Sequence, residues 1–269
     1  MTYTPPAVTA VNFVGELWTP PATSAVDFEG EDIWPDAFSN SGYQAASSSY
    51  SFNHTVLSTG NNRYLIVGVE MLSVAESVSS ITYNGDALSL LGSEEAASGC
   101  RVELWGMIAP DTGTNSISVT LSGAIASVST AISFINVDQT SPTEGFASAS
   151  AINVGAADAT VDVTTTTNRA WVVDAVCTTD TAITVGAGQL AGANVTGAGG
   201  SGAMSREGPK ITAGTVTMSW GAVGAAQTWA IAAIALRPVQ VAAGAASIGS
   251  VFGSIVFGGT PKNIFNRAA

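Results

Sequence analysis

His54 is the only histidine in the 269-residue chain and the first candidate for acid–base chemistry. A catalytic histidine needs a nucleophile to activate and a carboxylate to orient it, and the sequence around His54 identifies neither. The residue alternates with Tyr50, Phe52 and Val56, which is the spacing of one face of a β-strand. We therefore expect an inward-facing histidine whose hydrogen bonds are satisfied inside the fold.

Acidic residues are the remaining candidates for a catalytic or metal site. The pair Glu94-Glu95 falls between two predicted strands, so a solvated turn is expected there. A second group could offer oxygen ligands to Ca²⁺ but lacks the order of an EF-hand loop. Its members are Asp27, Glu29, Glu31 and Asp32. No acid pair has a spacing that indicates glycoside hydrolysis. We predict no catalytic residue, no metal and no cofactor.

The glycine-rich stretch 186–202 is the other segment that invites a chemical interpretation. It contains no Gly-x-Ser-x-Gly nucleophile elbow. It also lacks the strand–loop–helix spacing and the lysine of a phosphate-binding loop. We therefore expect a long surface loop in this region.

The composition excludes several classes of protein. Only 28 residues are charged, 20 of them acidic and 8 basic, which gives a net charge of −12. Because the chain has no basic surface for holding phosphates, we predict no nucleic-acid partner. Cys100 and Cys177 show no spacing that indicates a disulfide, so we expect buried free thiols.

Residues 1–36 contain an internal repeat. Nine of the fourteen positions in 3–16 recur as identical residues 15 positions later, in 18–31. Each unit opens with Pro-Pro, which fixes an extended conformation, and continues with the alternation of a short strand. Two such units cannot enclose a core. We predict an extended N-terminal arm whose aromatic residues dock on a partner, with a flexible leader as the alternative. Six acids are expected to meet a basic or amide-rich patch there: Glu16, Asp27, Glu29, Glu31, Asp32 and Asp36.

Residues 37–238 read as β-strands throughout. Asn84-Gly85 is the strongest short hairpin signal. The continuous apolar run 64–70 suits a strand covered on both faces. Further strands are predicted at 48–56, 101–108, 115–121, 127–135, 160–166, 170–177, 215–220 and 228–236. Short strands separated by turn signals predict an all-β fold, a jelly-roll-like antiparallel β-sandwich. The alanine-rich stretch 225–236 is the one place where a helix is an alternative to a strand.

Residues 239–269 contain 21 uncharged residues from Val239 to Gly259, and the first charge is Lys262. That length would permit a membrane span, but Gly, Ala and Ser contribute little insertion energy. We predict instead an apolar C-terminal arm that adds strands to a neighbouring subunit, and no membrane partner.

The order of motifs in 40–238 resembles a β-sandwich module of bacteriophage virion proteins, which is found in tail fibres, head fibres and capsid decoration proteins and also in some bacterial surface proteins. The motifs are Ser51-Phe-Asn-His-Thr-Val56, Asn62-Arg-Tyr-Leu-Ile-Val-Gly-Val69, Ile81-Thr-Tyr-Asn-Gly85, Val102-Glu-Leu-Trp105 with Pro110, Phe134-Ile-Asn-Val-Asp-Gln-Thr140, Val216-Thr-Met-Ser-Trp220, and Trp229 followed by Ala235-Leu-Arg-Pro238. The resemblance implies a structural or adhesive role in a virion. It supplies no catalytic residues.

The leading hypothesis is a non-enzymatic capsid decoration or cement protein that lies on the capsid surface of a phage virion, with the tail as the alternative location. Its expected partners are the major capsid protein or other virion subunits, and we expect a homo-oligomer, with a trimer favoured. The arm residues predicted to contact those partners are Tyr3, Pro5, Pro6, Val11, Phe13, Trp18, Pro20, Pro21, Val26, Phe28, Trp34, Val251, Phe252, Ile255, Phe257, Ile264 and Phe265.

Two alternative functions remain open at this point. A tail or head fibre subunit fits the same resemblance. A carbohydrate-binding β-sandwich module would bind a glycan on an aromatic platform, for which the candidates are Tyr43, Tyr83, Trp105 and Trp171.

Overall fold

Sixteen β-strands and no helix make up the part of the chain that the computed structural model describes, which is residues 32–240 except 98, 155–157, 222 and 225. The all-β prediction is therefore confirmed. Predictions for 1–31 and 241–269, which include most of both arms, lie outside the described residues.

The strands follow one another with short connections. In the first half they are β1 (Trp34–Asn40), β2 (Gln44–Val56), β3 (Tyr64–Met71), β4 (Val78–Tyr83), β5 (Asp86–Ala87), β6 (Ser89–Ala96), β7 (Cys100–Ile108) and β8 (Gly113–Ile135). In the second half they are β9 (Thr143–Val154), β10 (Ala159–Thr164), β11 (Ala170–Thr178), β12 (Thr184–Val185), β13 (Leu190–Gly197), β14 (Gly200–Lys210), β15 (Thr215–Gly221) and β16 (Gln227–Leu236).

The first half is a sandwich made from one folded sheet. Strand β8 is 23 residues long and belongs to both layers. Its residues 127–135 pair with β1 and β3, and β3 continues to β7 and β6. Its residues 113–121 pair with β2 and β4. The side chains enclosed between the layers form an apolar core that includes Leu65, Val67, Ile81, Ile117 and Val119.

The second half is a sandwich of two separate sheets. A five-stranded sheet has the order β13-β14-β11-β16-β9, and a three-stranded sheet has the order β10-β15-β12. Val172, Val176, Val216, Met218 and Trp220 are among the residues packed between them.

Both halves have the same strand order. In the first half we count 113–121 and 127–135 of β8 as two segments and leave out the two-residue strand β5, which extends β4. Each half then has eight segments along the chain, and in both halves one layer runs 1-8-3-6-5 and the other runs 2-7-4. The pairs 1-8-3-6 and 2-7-4 are those of a jelly roll with two Greek keys. The predicted domain 37–238 therefore contains two jelly-roll-like sandwiches in tandem.

The two sandwiches pack back to back through their five-stranded layers. Side chains of β3 alternate between the two sides, so Leu65 and Val67 enter the first sandwich and Tyr64 and Ile66 face the second. Strand β11 alternates in the same way. Strands buried on both faces carry continuous apolar runs, which explains why 64–70 and 170–177 do not alternate in polarity.

Several local predictions are confirmed. Asn84-Gly85 is the two-residue turn between β4 and β5, with φ angles of 52° and 93°. The apolar run at 64–70 lies in β3, and 225–236 contains strand β16 rather than a helix. The two strands predicted at 115–121 and 127–135 are parts of the single bent strand β8.

Two local predictions are wrong. The stretch 186–202 is not a long loop, because β13 and the start of β14 form a hairpin there. The glycines of this hairpin allow aromatic rings of the first sandwich to approach the backbone closely. A Cβ at Gly192 would collide with the ring of Phe38, and a Cβ at Gly197 would collide with the ring of Tyr43. Glu94-Glu95 is not a turn either, because both residues lie in β6.

Candidate functional site

The start of β1 is the one part of the predicted arm interface that the structure describes. Trp34 pairs with Ile135 of β8 and leaves 60% of its surface exposed. Its neighbour Ile33 is buried, and the Asp32 carboxylate forms an ion pair with Arg169 of the second sandwich. The boundary predicted after residue 36 therefore falls inside β1. The other predicted contact residues lie outside the described range.

Two of the six N-terminal acids have their partners within the chain. Asp32 pairs with Arg169, so it is not part of a calcium site. Asp36 accepts hydrogen bonds from Ser133 Oγ at 2.8 Å and from the amide of Leu57 at 3.0 Å. These intrachain contacts engage two of the acids that were expected to meet a partner's basic or amide-rich patch, and the other four acids lie outside the described residues.

His54 lies in β2, and its side chain is buried against β1 and β8, as its alternation predicts. Its Nδ1 lies 2.8 Å from Ser39 Oγ, and its Nε2 lies 3.1 Å from Ser133 Oγ. Ser133 has one hydroxyl proton and gives it to Asp36, so Nε2 must donate to Ser133 and Nδ1 must accept from Ser39. Burial lowers the pKa of His54 to about 4, and the charge of Asp36 opposes that shift. The imidazole is neutral at pH 7.

The chain of hydrogen bonds at His54 differs from a serine-hydrolase triad. In a triad the carboxylate binds the histidine directly and orients it. Here Ser133 lies between Asp36 and His54, and none of the four residues Asp36, Ser39, His54 and Ser133 lines the cavity described below. The arrangement ties three strands together through satisfied polar groups.

Three buried carboxylates were missed by the sequence analysis. Glu70 and Asp174 stand in the middle of apolar strands, and Glu103 lies in β7. Glu103 accepts hydrogen bonds from Arg101 Nε at 2.8 Å and from Trp105 Nε1 at 3.1 Å. An acid inside a strand that is apolar on both faces was the available signal, because such a residue cannot point to solvent.

Asp174 is held by donors inside the second sandwich. Its Oδ1 accepts from the amide and the hydroxyl of Ser205, and its Oδ2 accepts from Trp220 Nε1 at 2.9 Å and from Gln189 Nε2 at 3.4 Å. Burial nevertheless raises the pKa of Asp174 to about 6, while the hydrogen bonds from Ser205 and Trp220 oppose the shift.

Glu70 is less well satisfied than Asp174. Its Oε1 accepts from Thr130 Oγ1 at 2.8 Å, whereas its buried Oε2 has no hydrogen-bond partner within the described residues. Burial raises the pKa of Glu70 well above its usual value, and the charge of Asp174 adds to that shift. Glu70 faces a void of about 10 Å³, which is no larger than one water molecule needs.

Glu94 and Glu95 have separate structural roles in β6. The Glu94 carboxylate accepts hydrogen bonds from Ser148 Oγ at 2.5 Å and from Ser150 Oγ at 2.8 Å, and so connects β6 to β9 of the second sandwich. Glu95 pairs with Arg101 at 2.7 Å. These contacts replace the solvated turn that the sequence suggested.

The four aromatic residues proposed for a glycan platform do not form one. Tyr83 and Trp171 are buried, and Trp105 is half-buried against the core of the first sandwich. Tyr43 lies over Gly197 and donates its hydroxyl to the carbonyl of Ala198 at 2.9 Å. Their side chains are therefore used inside the fold.

A cavity of about 540 Å³ opens at the edge of the first sandwich, on the side of β5, β6 and β7. Buried Tyr64 lies at its floor, and exposed Asp86, Ser89 and Asp111 lie at its rim. None of the described residues that line it is basic. Its volume is large enough to accept a small molecule.

Cys100 and Cys177 are buried free thiols, as predicted. Cys177 donates to the carbonyl of Met71 at 3.1 Å, and burial together with the neighbouring Cys100 raises its pKa well above the usual value. Within the described range, no three His, Cys, Asp or Glu side chains are arranged to hold a metal ion. The same residues include no helix with the length and hydropathy of a membrane span.

Comparison with protein-family models, with curated proteins and with solved structures gives no match. The functional interpretation therefore rests on the residues and their geometry.

Proposed function

We propose that this chain is a non-enzymatic structural protein of a bacteriophage virion, in which it decorates and cements the capsid through its terminal segments. The motif order that resembles virion sandwich modules supports this assignment. The jelly-roll strand order supports it as well, because many viral capsid proteins have a jelly-roll fold.

The exposure of Trp34 is the observation on which the proposal mainly rests. An exposed tryptophan stands at the start of β1, directly after the Pro-Pro repeats, while Ile33 and Asp32 beside it are fixed to the sandwich. Tryptophan is enriched among residues that dominate binding energy at protein interfaces. The anchored position means that little conformational entropy is lost when Trp34 is covered.

The internal use of polar side chains supports a structural role. His54, Asp36, Glu94 and Asp174 each make hydrogen bonds to other parts of the two sandwiches. A subunit whose polar groups are satisfied within the fold can bury an uncharged surface against neighbours without stripping ions of water.

Self-association tests the proposal directly. The full chain is expected to sediment as an oligomer, with a trimer favoured, and Trp34→Ala is expected to weaken that association by about tenfold or more, since hot-spot truncations cost about 2 kcal/mol. Ile211→Ala is the matched control, because Ile211 is 62% exposed in the second sandwich. Analytical ultracentrifugation across a concentration series provides the measurement. A monomeric full chain, or equal behaviour of both variants, would count against the assignment.

A further inference from the structure

The cavity beside β7 has the hydroxyl group of Tyr64 on its floor. Tyr64 is only 2% exposed, and its hydroxyl makes no hydrogen bond within the described part of the chain. Burial raises the pKa of Tyr64 to about 12, so the hydroxyl stays protonated at neutral pH. It can both donate and accept a hydrogen bond.

Gly106 allows the Tyr64 hydroxyl to take this position. A Cβ at Gly106 would overlap the hydroxyl oxygen, and both residues line the cavity. The hydroxyl oxygen is not among the fully buried polar atoms that lack a partner, so water or a ligand can reach it from the cavity. A hydroxyl that faces a cavity without a protein partner is therefore available to a ligand.

The rim of the cavity supplies hydrogen-bond acceptors. The Asp86 carboxylate is exposed and makes no side-chain hydrogen bond within the described residues. Asp111 accepts from Asn84 Nδ2 at 2.8 Å through Oδ2, which leaves its other oxygen for a ligand. Since no described lining residue is basic, two carboxylates at the rim would repel a phosphate, a sulfate or an acidic sugar.

The remaining wall is apolar. Leu91, Met107 and Pro142 line the cavity between the carboxylates and the tyrosine. The volume of about 540 Å³ lies within the range of small-molecule sites, about 300–1,000 Å³. Such sites combine an apolar lining with a few convergent polar groups that fix the ligand's orientation.

We propose that this cavity binds a neutral carbohydrate. Sugar hydroxyls would donate to Asp86 and Asp111 and exchange hydrogen bonds with Tyr64, and the C–H face of the ring would lie against Leu91 and Pro142. A metal ion fits the site less well, because no three metal-ligating side chains converge in the described residues. The site differs from the aromatic platform that the sequence suggested. It is also independent of the structural role, which does not need a sugar.

A neutral-glycan microarray, followed by saturation-transfer difference NMR with the glycans that bind, tests the site on the full chain. Tyr64→Phe removes the hydroxyl and keeps the ring, and we expect about five- to tenfold weaker binding from the loss of one hydrogen bond. Asp86→Asn should weaken binding similarly, and its exposed position leaves the fold undisturbed.

Matched controls exist elsewhere in the chain. Tyr43→Phe removes a tyrosine hydroxyl that binds the carbonyl of Ala198, and Asp162→Asn alters an exposed acid that accepts from Thr217. Both should bind glycans as the wild type does. The proposal is overturned if no neutral glycan binds, if spermidine binds in place of the sugars, or if binding survives unchanged in both Tyr64→Phe and Asp86→Asn. Loss of sugar binding with intact self-association would leave the proposed structural role standing.

Discussion

Buried ionisable side chains dominate the chemistry of this molecule at the scale of the residue. Glu70, Asp174 and His54 are each removed from solvent, and burial disfavours the charged form of every one of them. For the acids the pKa rises, and for the histidine it falls. The stability of the fold should therefore depend on pH in two opposite directions.

His54 is the residue at which this effect of burial on the pKa can be measured most directly. Its pKa is lowered from 6.5 to about 4 in the fold, so the neutral form stabilises the protein above pH 6.5, and that stability is lost as the pH falls through 4. The chain has one histidine, so a ¹⁵N NMR titration of the untagged protein needs no assignment. We expect a midpoint near pH 4 and a protonated Nε2 at neutral pH. A midpoint near 6.5 would show that the imidazole is solvated.

Glu70 should act in the opposite direction. Its raised pKa means that its contribution is fully present below the unfolded value of about 4.5 and is lost as the pH rises through the folded value. Glu70→Gln removes the ionisation and keeps the shape. We expect the variant to be more stable than the wild type at pH 8 by about 1–3 kcal/mol, with a smaller difference at pH 5.

Urea unfolding at the two pH values checks the Glu70 prediction. Glu95→Gln is the control, because the Glu95 side chain is 55% exposed and its ion pair with Arg101 should contribute less than about 1 kcal/mol to the free energy of unfolding. A Glu70→Gln variant that is less stable than the wild type at both pH values would show that the charged carboxylate is stabilising.

At the scale of the element, strand β13 joins the two sandwiches through glycines. Phe38 of β1 lies where a Cβ of Gly192 would stand, and the guanidinium of Arg206 lies 4.6 Å from the centre of the Phe38 ring. The stretch 186–202 matches no nucleophile elbow or phosphate-binding loop, and its many glycines favour a surface loop over a strand. Close approach of a neighbouring ring is the physical reason that they occur inside one.

Gly192→Val tests this contact. The added side chain would displace Phe38, and overpacking of this kind costs about 1–3 kcal/mol. Gly214→Ala is the control, since a Cβ there meets no atom within 4 Å. Thermal unfolding should show a clearly lower Tm for Gly192→Val and an almost unchanged Tm for Gly214→Ala. Equal melting temperatures would mean that β13 and β1 are not in close contact.

At the scale of the whole molecule, the sequence predicts the type of fold but not its duplication. Alternation, apolar runs and the Asn84-Gly85 turn were sufficient to predict strands and a jelly-roll-like sandwich. The tandem arrangement left only faint traces, such as Asn62-Arg63 before β3 and Asn168-Arg169 before β11. Strand order depends on pairing between distant segments, and many different side chains satisfy the same pairing.

The candidate site was less predictable than the fold. Tyr64, Asp86 and Asp111 are separated in sequence and meet only because β3 and the ends of β4 and β7 converge at one edge of the first sandwich. Tyr64 looked like a core residue, which it is by burial. Only the position of its hydroxyl distinguishes it, and periodicity carries no information about that position.

The central claim is that this chain is a structural part of a phage particle. Immunogold electron microscopy tests it most directly. The antibodies are raised against the full chain, and the phage particles are purified from a culture that produces this protein. The account predicts label distributed over the capsid surface of intact particles, at many sites on each one. Particles that carry no label, while the protein is recovered free in the lysate, would contradict it.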